Sequence, residues 1–152
     1  MSAPKIFDNE LLRLRLARAL RGGAEDFLLA RCVEDLIDRL TLIKRDFARV
    51  LDLATPSPLL ARALAARGPR TLTRAATIAE PAGAWETRVV DPERLPFEAG
   101  SFDLVVSALA LQFVNDLPGT LTQIRRALAP DGLFLACLAG GDRKSTRLNS
   151  SH

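Results

Sequence analysis

The stretch from Asp91 to Gly132 constrains the fold more than any other part of the chain. It opens D-P-E-R-L-P-F, continues S-F-D-L-V-V-S-A-L-A-L-Q-F-V-N-D and closes L-T-Q-I-R-R-A-L-A-P-D-G. Phe102, Leu104, Val105 and Val106 form a nearly unbroken apolar run, as a strand covered on both faces requires. Residues 120 to 128 follow as a helix, and Pro130-Asp131-Gly132 reads as a turn. An acidic strand end, a buried strand, a helix and a turn in that order predict an open α/β sheet with a nucleotide-type pocket.

The remaining chain fits the same plan. Residues 9 to 20 and about 24 to 42 carry helical apolar spacing, the first ended by Gly22-Gly23. Arg13, Arg15, Arg18 and Arg21 could meet an acidic partner, although a solvated face explains them better. Phe47 to Leu53 reads as a short buried strand, followed by a helix over 58 to 66 with Pro58 in its first turn. Residues 71 to 75, 87 to 90 and 133 to 138 supply further strands. Strands separated at crossover spacing predict parallel pairing through right-handed connections. The expected fold is α/β, a Rossmann-like doubly wound parallel sheet. Its expected divisions are an N-terminal helical lead-in over 1–45, a sheet domain over 46–141 and a separate tail over 142–152.

Composition removes several classes of function. No apolar run approaches the roughly 20 residues of a membrane span, and the N-terminus lacks the apolar core of a secretory signal, so a soluble intracellular protein is expected. Cys32 and Cys137 lie far apart without C-x-x-C spacing and read as small core side chains rather than a disulfide or metal ligands. No zinc site is visible. The net charge is +3, but three of the 21 basic and one of the 18 acidic residues fall in the tail D-R-K-S-T-R-L-N-S-S-H, leaving +1 elsewhere. Nucleic-acid binding loses its electrostatic basis. That tail resembles translated sequencing adapter, so Ser145, Ser150, Ser151 and His152 carry no functional expectation.

In open α/β sheets, ligands bind at the carboxyl ends of the strands. The positions to inspect are therefore Asp52 to Pro58, Ala75 to Thr77, Asp91-Pro92 and Ser107 to Leu109. Asp91 has two readings: a carboxylate for ribose hydroxyls or an exocyclic amine, or a turn-capping Asp before Pro92.

These residues carry a resemblance. V-L-D-L, D-P-E-R-L-P-F, S-F-D-L-V-V-S and L-T-Q-I-R-R-A-L-A-P-D-G resemble the class I S-adenosylmethionine-dependent methyltransferases. The similarity is strongest to the group containing malonyl-carrier-protein methyltransferases and methyltransferase-like assembly factors of respiratory complex I. A-L-Q-F-V-N-D-L-P-G and I-F-D-N-E-L-L-R-L-R look like the assembly-factor branch. The resemblance implies S-adenosyl-L-methionine as cofactor, with Asp52, Leu53, Ala54, Asp91, Pro92, Ser107 and Ala108 in its site. It implies methyl transfer to an unidentified acceptor: a small molecule, a carrier protein or a complex I subunit. Its alternative implication is an assembly or modifying factor for complex I with weak or absent methyl transfer. Either suits a bacterial cytoplasm, with a partner-mediated place at the inner membrane.

Three departures from the family pattern matter. The family's acid-x-Gly-x-Gly-x-Gly loop is here Asp52-Leu-Ala-Thr-Pro-Ser-Pro58, with Ala54, Pro56 and Pro58 in place of glycines. Pro56 and Pro58 have no N–H and a fixed φ. The acid expected after the second strand is replaced by Ala75-Ala76-Thr77, with Glu80 as a substitute from the next loop. Methyl transfer depends mainly on positioning, so no catalytic residue is assigned. Gln112, Phe113, Asn115 and Asp116 occupy the segment that faces the acceptor in the family, although Asn115 or Asp116 equally suits a helix cap. The family sheet has seven strands, so a chain ending after the fifth is expected to expose a sheet edge and to be inactive.

Overall fold

The computed structural model describes residues 26–81, 83–138 and, as backbone, 144–149. The helix expected over residues 9 to 20 lies outside the described residues. Three helices are described: α1 (Asp26–Leu42), α2 (Leu59–Ala65) and α3 (Leu117–Ala127). The strands are β1 (Arg49–Leu53), β2 (Thr71–Ala76), β3 (Glu86–Val89), β4 (Phe102–Ala108), β5 (Leu128–Leu138) and β6 (Lys144–Asn149). They form one sheet in the order β3-β2-β1-β4-β5-β6. The first five are parallel, with helical crossovers placed on both faces, so the expected doubly wound sheet is the observed one.

Successive strand residues point to opposite faces, and the core divides accordingly. Val50, Leu104, Val106, Leu133 and Leu135 face α1 and α2, where they meet Leu29, Leu36, Leu40, Leu60 and Leu64. Leu51, Leu53, Val105, Phe134 and Ala136 face the other way, toward Leu111, Ile124 and Ala127 around α3. Cys32 and Cys137 are buried in the first cluster, with their Sγ atoms 2.8 Å apart. Among the described residues no group of three or more ligand-type side chains could hold a metal, and no helix is long and apolar enough to cross a membrane.

The register between β1 and β4 is fixed at its start by Arg49. Its backbone N–H and Nε donate to Asp103 Oδ2, at 2.9 and 3.2 Å, and its Nη2 donates to Oδ1 at 3.0 Å. These bonds hold the Asp103 carboxyl below its ordinary range.

Two boundaries differ from the sequence expectation. Helix α3 starts at Leu117, three residues early, because Asp116 is its N-cap and accepts from the Gly119 N–H at 3.0 Å. A Cβ on Gly119 would collide with that carboxylate, so glycine permits the close approach. Pro130-Asp131-Gly132 is not a turn between elements but an irregularity inside β5. Phe102 pairs with Leu128 and Leu104 with Leu133, so the extra residues bulge while pairing resumes on either side.

The edge expected at β5 lies one strand further out, at β6. Lys144–Asn149 pairs antiparallel along Leu133–Leu138. An open strand edge presents unpaired N–H and C=O groups to any extended segment, whatever its side chains.

The α1 helix belongs to the core only if its buried stripe carries energy. Leu36 is fully buried, so Leu36→Ala should cost about 2–5 kcal/mol in urea unfolding. Glu34→Ala, on the exposed face, should stay within about 0.5 kcal/mol of the parent.

Candidate functional site

Strand order reverses between β1 and β4, and the crevice there is where an open α/β sheet receives a ligand. The first site element is the exit from β1. Asp52 and Leu53 are fully buried, and the chain then turns through Ala54 at φ 59°. That is left-handed backbone, which glycine adopts freely and an L-residue only at a cost of about 1–2 kcal/mol. Ala54 therefore makes the turn expected of a glycine, held by its N–H donating to the Ala75 carbonyl at 2.7 Å. Leu109, at the exit from β4, is the second such residue, with φ 54° and its N–H on the Cys137 carbonyl at 2.7 Å. The two left-handed residues flank the switch point.

Beneath the first loop lies a buried ionic network. Arg74, on β2, stands opposite Asp52 in the parallel register. Its Nη1 donates to Asp52 Oδ2 at 2.8 Å and its Nη2 to the Thr55 carbonyl at 2.8 Å. Nε and Nη2 also donate to the two oxygens of Glu80, at 2.7 and 2.6 Å. The Arg74, Asp52 and Glu80 side chains are 1%, 0% and 4% exposed, so all three charges are withdrawn from water. Thr55 completes the network: its hydroxyl donates to Asp52 Oδ1 at 2.6 Å and accepts from the Ala108 N–H at 3.2 Å.

Burial pushes the Asp52 carboxyl up from an ordinary 3.8 to about 6, and the nearby Glu80 charge adds to this, while Arg74 and Thr55 hold it down. For Arg74, burial alone would lower the pKa, but the carboxylates of Glu80 and Asp52 raise it above its ordinary value. The guanidinium stays charged, and the two acids share it.

Of the residues expected at the site, Asp52, Leu53, Ala54, Ser107 and Ala108 come together on the adjoining ends of β1 and β4. Ser107 faces inward, its hydroxyl donating to the Leu53 carbonyl at 2.7 Å, which ties the two strands. Asp91 and Pro92 follow β3, two strands from β1. Asp91 Oδ1 accepts from the Glu93 N–H at 2.9 Å, and its carbonyl accepts from Arg94, the geometry of a turn-capping Asp. Both Glu80 oxygens accept from Arg74, and its side chain is 4% exposed.

Glu93 then clamps that loop to α3: its carboxylate accepts from the Asp116 N–H at 2.9 Å and from Asn115 Nδ2 at 3.4 Å. Asp116 is the cap and Asn115 part of the clamp. Gln112 lies in a 3-10 turn over Leu111–Phe113, with its buried Oε1 lacking a partner among the described residues. Phe113 lies partly buried in the same turn.

Sequence reasoning missed Arg74, and gave Thr55, within the inspected loop, no role. The signal was present: an arginine within the strand Thr71-Leu-Thr-Arg-Ala-Ala76, covered on both faces, demands a buried acid. Parallel pairing with V-L-D-L supplies one.

Removing the cation leaves two buried carboxylates side by side. Arg74→Met should cost about 3–5 kcal/mol in urea unfolding, and Arg74→Lys, which keeps the charge but cannot span three acceptors, an intermediate amount. The raised Asp52 pKa sets a pH signature. Its contribution to stability is complete below 3.8 and is lost as pH rises through about 6. Melting temperatures between those values should therefore show a falling arm that Asp52→Asn flattens.

Residues 40–136 match a family model described as a methyltransferase domain. Among curated proteins, the chain is 37% identical over 151 residues to the mitochondrial arginine-hydroxylase NDUFAF5 of Mus musculus, covering 92% of this chain and 44% of that protein. It is 30% identical over 156 residues to a malonyl-[acyl-carrier protein] O-methyltransferase of Gallionella capsiferriformans, covering 90% of this chain and 53% of the relative. The chain thus spans about half the length of these relatives. Among solved structures, a chain from the complex of the Haloferax volcanii Trm112 methyltransferase activator with a methyltransferase superposes with a TM-score of 0.69 at 23% identity. That match covers 81% of this chain and 59% of the other. The trans-methyltransferase CalH, solved in complex with SAH, has a TM-score of 0.50 at 20% identity, over 59% of this chain and 31% of CalH.

Proposed function

The chain belongs to the methyltransferase-domain family, and from that premise we propose that it is the cofactor-binding part of an S-adenosylmethionine-dependent methyltransferase. The observation that carries this reading is the left-handed turn at Ala54 beside the β1/β4 switch. It reproduces, without glycine, the backbone path that lets a first loop approach a ligand closely. The cofactor would lie over Ala54 and the Ser107–Ala108 strand end, with Asp91 toward its ribose or adenine through the carboxylate oxygen not used on Glu93. The bound cofactor supplies an electrophilic methyl group. The protein's share is to orient it and exclude water. Gln112, with an unsatisfied buried oxygen, is the acceptor-side candidate in this reading.

Asp52 takes a supporting role here. It is spent on Arg74 and Thr55, and through them fixes the loop from below rather than touching the ligand. The expected divisions, a lead-in over 1–45, a methyltransferase domain over 46–141 and a tail over 142–152, belong to the same reading, as does a bacterial cytoplasmic location.

A second reading has its own observation. Arg74 engages both Asp52 and Glu80, so the β1 and β2 exits offer no free carboxylate to ribose hydroxyls. A charge-assisted contact contributes about 1.5–3 kcal/mol, and losing it weakens binding roughly ten- to a hundredfold. A fold of this kind suits an assembly or modifying factor for respiratory complex I that binds the cofactor weakly. Loss of complex I in a deletion strain supports it; intact complex I in that strain contradicts it.

Isothermal titration with S-adenosylhomocysteine tests the first reading. One-to-one binding is expected, tightened by Ala54→Gly, which relieves the left-handed alanine and stabilises the fold by about 0.5–1 kcal/mol. Absence of heat at millimolar ligand contradicts it.

A further inference from the structure

At the end of the sheet away from Asp52, the chain forms an open groove of about 520 Å³. Two loops form it: residues 43 to 48, which lead from α1 into β1, and residues 66 to 70, which lead from α2 into β2. The volume falls in the range of small-molecule sites, about 300–1,000 Å³. Val50, Leu64 and Leu104 close its floor, each at most 3% exposed, and the accessible Phe47, Ala48 and Pro69 form apolar walls.

Three arginines, Arg45, Arg67 and Arg70, contribute to the same lining, and all are exposed. None is within ion-pair distance of an acid among the described residues, where Asp103, Asp52 and Glu80 are bonded to Arg49 and Arg74, although the Arg45 charge also acts on Asp103. Arg45 lies over the Phe47 ring at 4.8 Å. Among the described residues Arg67 donates to neutral acceptors, Thr41 Oγ1 at 3.2 Å and the Leu40 carbonyl at 3.5 Å. Asp46 is the single acid of the lining, so the groove carries an excess of two positive charges.

Like charges gathered at one opening repel one another, and an anion relieves that repulsion. Each guanidinium presents up to five N–H donors in a planar fork that suits carboxylate and phosphate. Accessible apolar walls beside such a rim select a ligand with a hydrocarbon body. We propose that this groove binds a small amphipathic anion, a carboxylate or phosphate monoester carrying a short hydrocarbon chain. The head lies among Arg45, Arg67 and Arg70, and the chain lies against the accessible apolar surface of Phe47, Ala48 and Pro69. The site is independent of cofactor binding at the other end of the sheet.

The test uses the full chain with four probes: octanoate, octyl phosphate, octanol and inorganic phosphate. Titration calorimetry gives affinity, and amide chemical shifts at Gly68 and Arg70 give location. The expected result is one-to-one binding of octanoate and octyl phosphate, with shifts at both amides, and binding of octanol and inorganic phosphate weaker by about tenfold or more. The ratio of octanoate to octyl phosphate affinity distinguishes the two head groups. The double variant Arg67→Ala/Arg70→Ala alters exposed side chains and should fold normally, yet lose about tenfold or more of octanoate affinity. Saturating S-adenosylhomocysteine should leave that affinity unchanged. Octanoate binding no tighter than octanol, equal binding by the double variant, or shifts confined to other residues would overturn the proposal.

Discussion

One guanidinium group, held between two carboxylates beneath the first loop, organises the carboxyl end of this sheet. Arg74 joins β2 to Asp52 on β1, to the Thr55 carbonyl of the loop and to Glu80 of the following segment. Through Thr55 the network reaches the Ala108 N–H at the end of β4. Burying three charges is costly unless each finds its partners, and their geometry here is close to bidentate. What the arrangement supplies is position: strand ends and loop are locked by a single side chain.

That lock explains how a loop without glycines keeps a glycine-like path. Ala54 sits at φ 59°, a conformation that costs an L-residue energy and persists only where surrounding structure over-determines it. Ala54 is held by the Ala75 carbonyl on one side, and the loop beyond it by Arg74 on Thr55. The proline residues then become tolerable. Pro58 caps α2, and its missing N–H removes no helical bond. The same lock limits the chemistry, since it consumes the acids that a ribose would otherwise meet.

Much of the fold was legible in the sequence because burial on both faces leaves a strong mark. The run at Phe102–Val106 and the V-L-D-L segment gave their strands nearly to the residue, and helix spacing placed α1 and α2. Local chemistry at boundaries was harder. Asp116 fixes the start of α3, whereas periodicity alone pointed to Thr120. Pro130-Asp131-Gly132 has turn composition, but continued pairing on both sides makes it a bulge. Neither partner of a non-local contact reveals it alone: Arg74 and Asp52 are 22 positions apart and meet only through strand register. Asp91 illustrates the opposite case. Asp-Pro suggested either a ligand contact or a turn cap: the Glu93 N–H on Oδ1 makes the cap, and the proposed ligand contact uses the other oxygen.

The most direct test of this account is the guanidinium NMR spectrum of arginine-labelled protein. A buried Arg74 bonded to Asp52, Glu80 and Thr55 predicts one Nε–H resonance with slow solvent exchange, assigned by its loss in Arg74→Lys and accelerated by Glu80→Gln. An Arg74 Nε–H that exchanges as fast as those of the exposed arginines would contradict it.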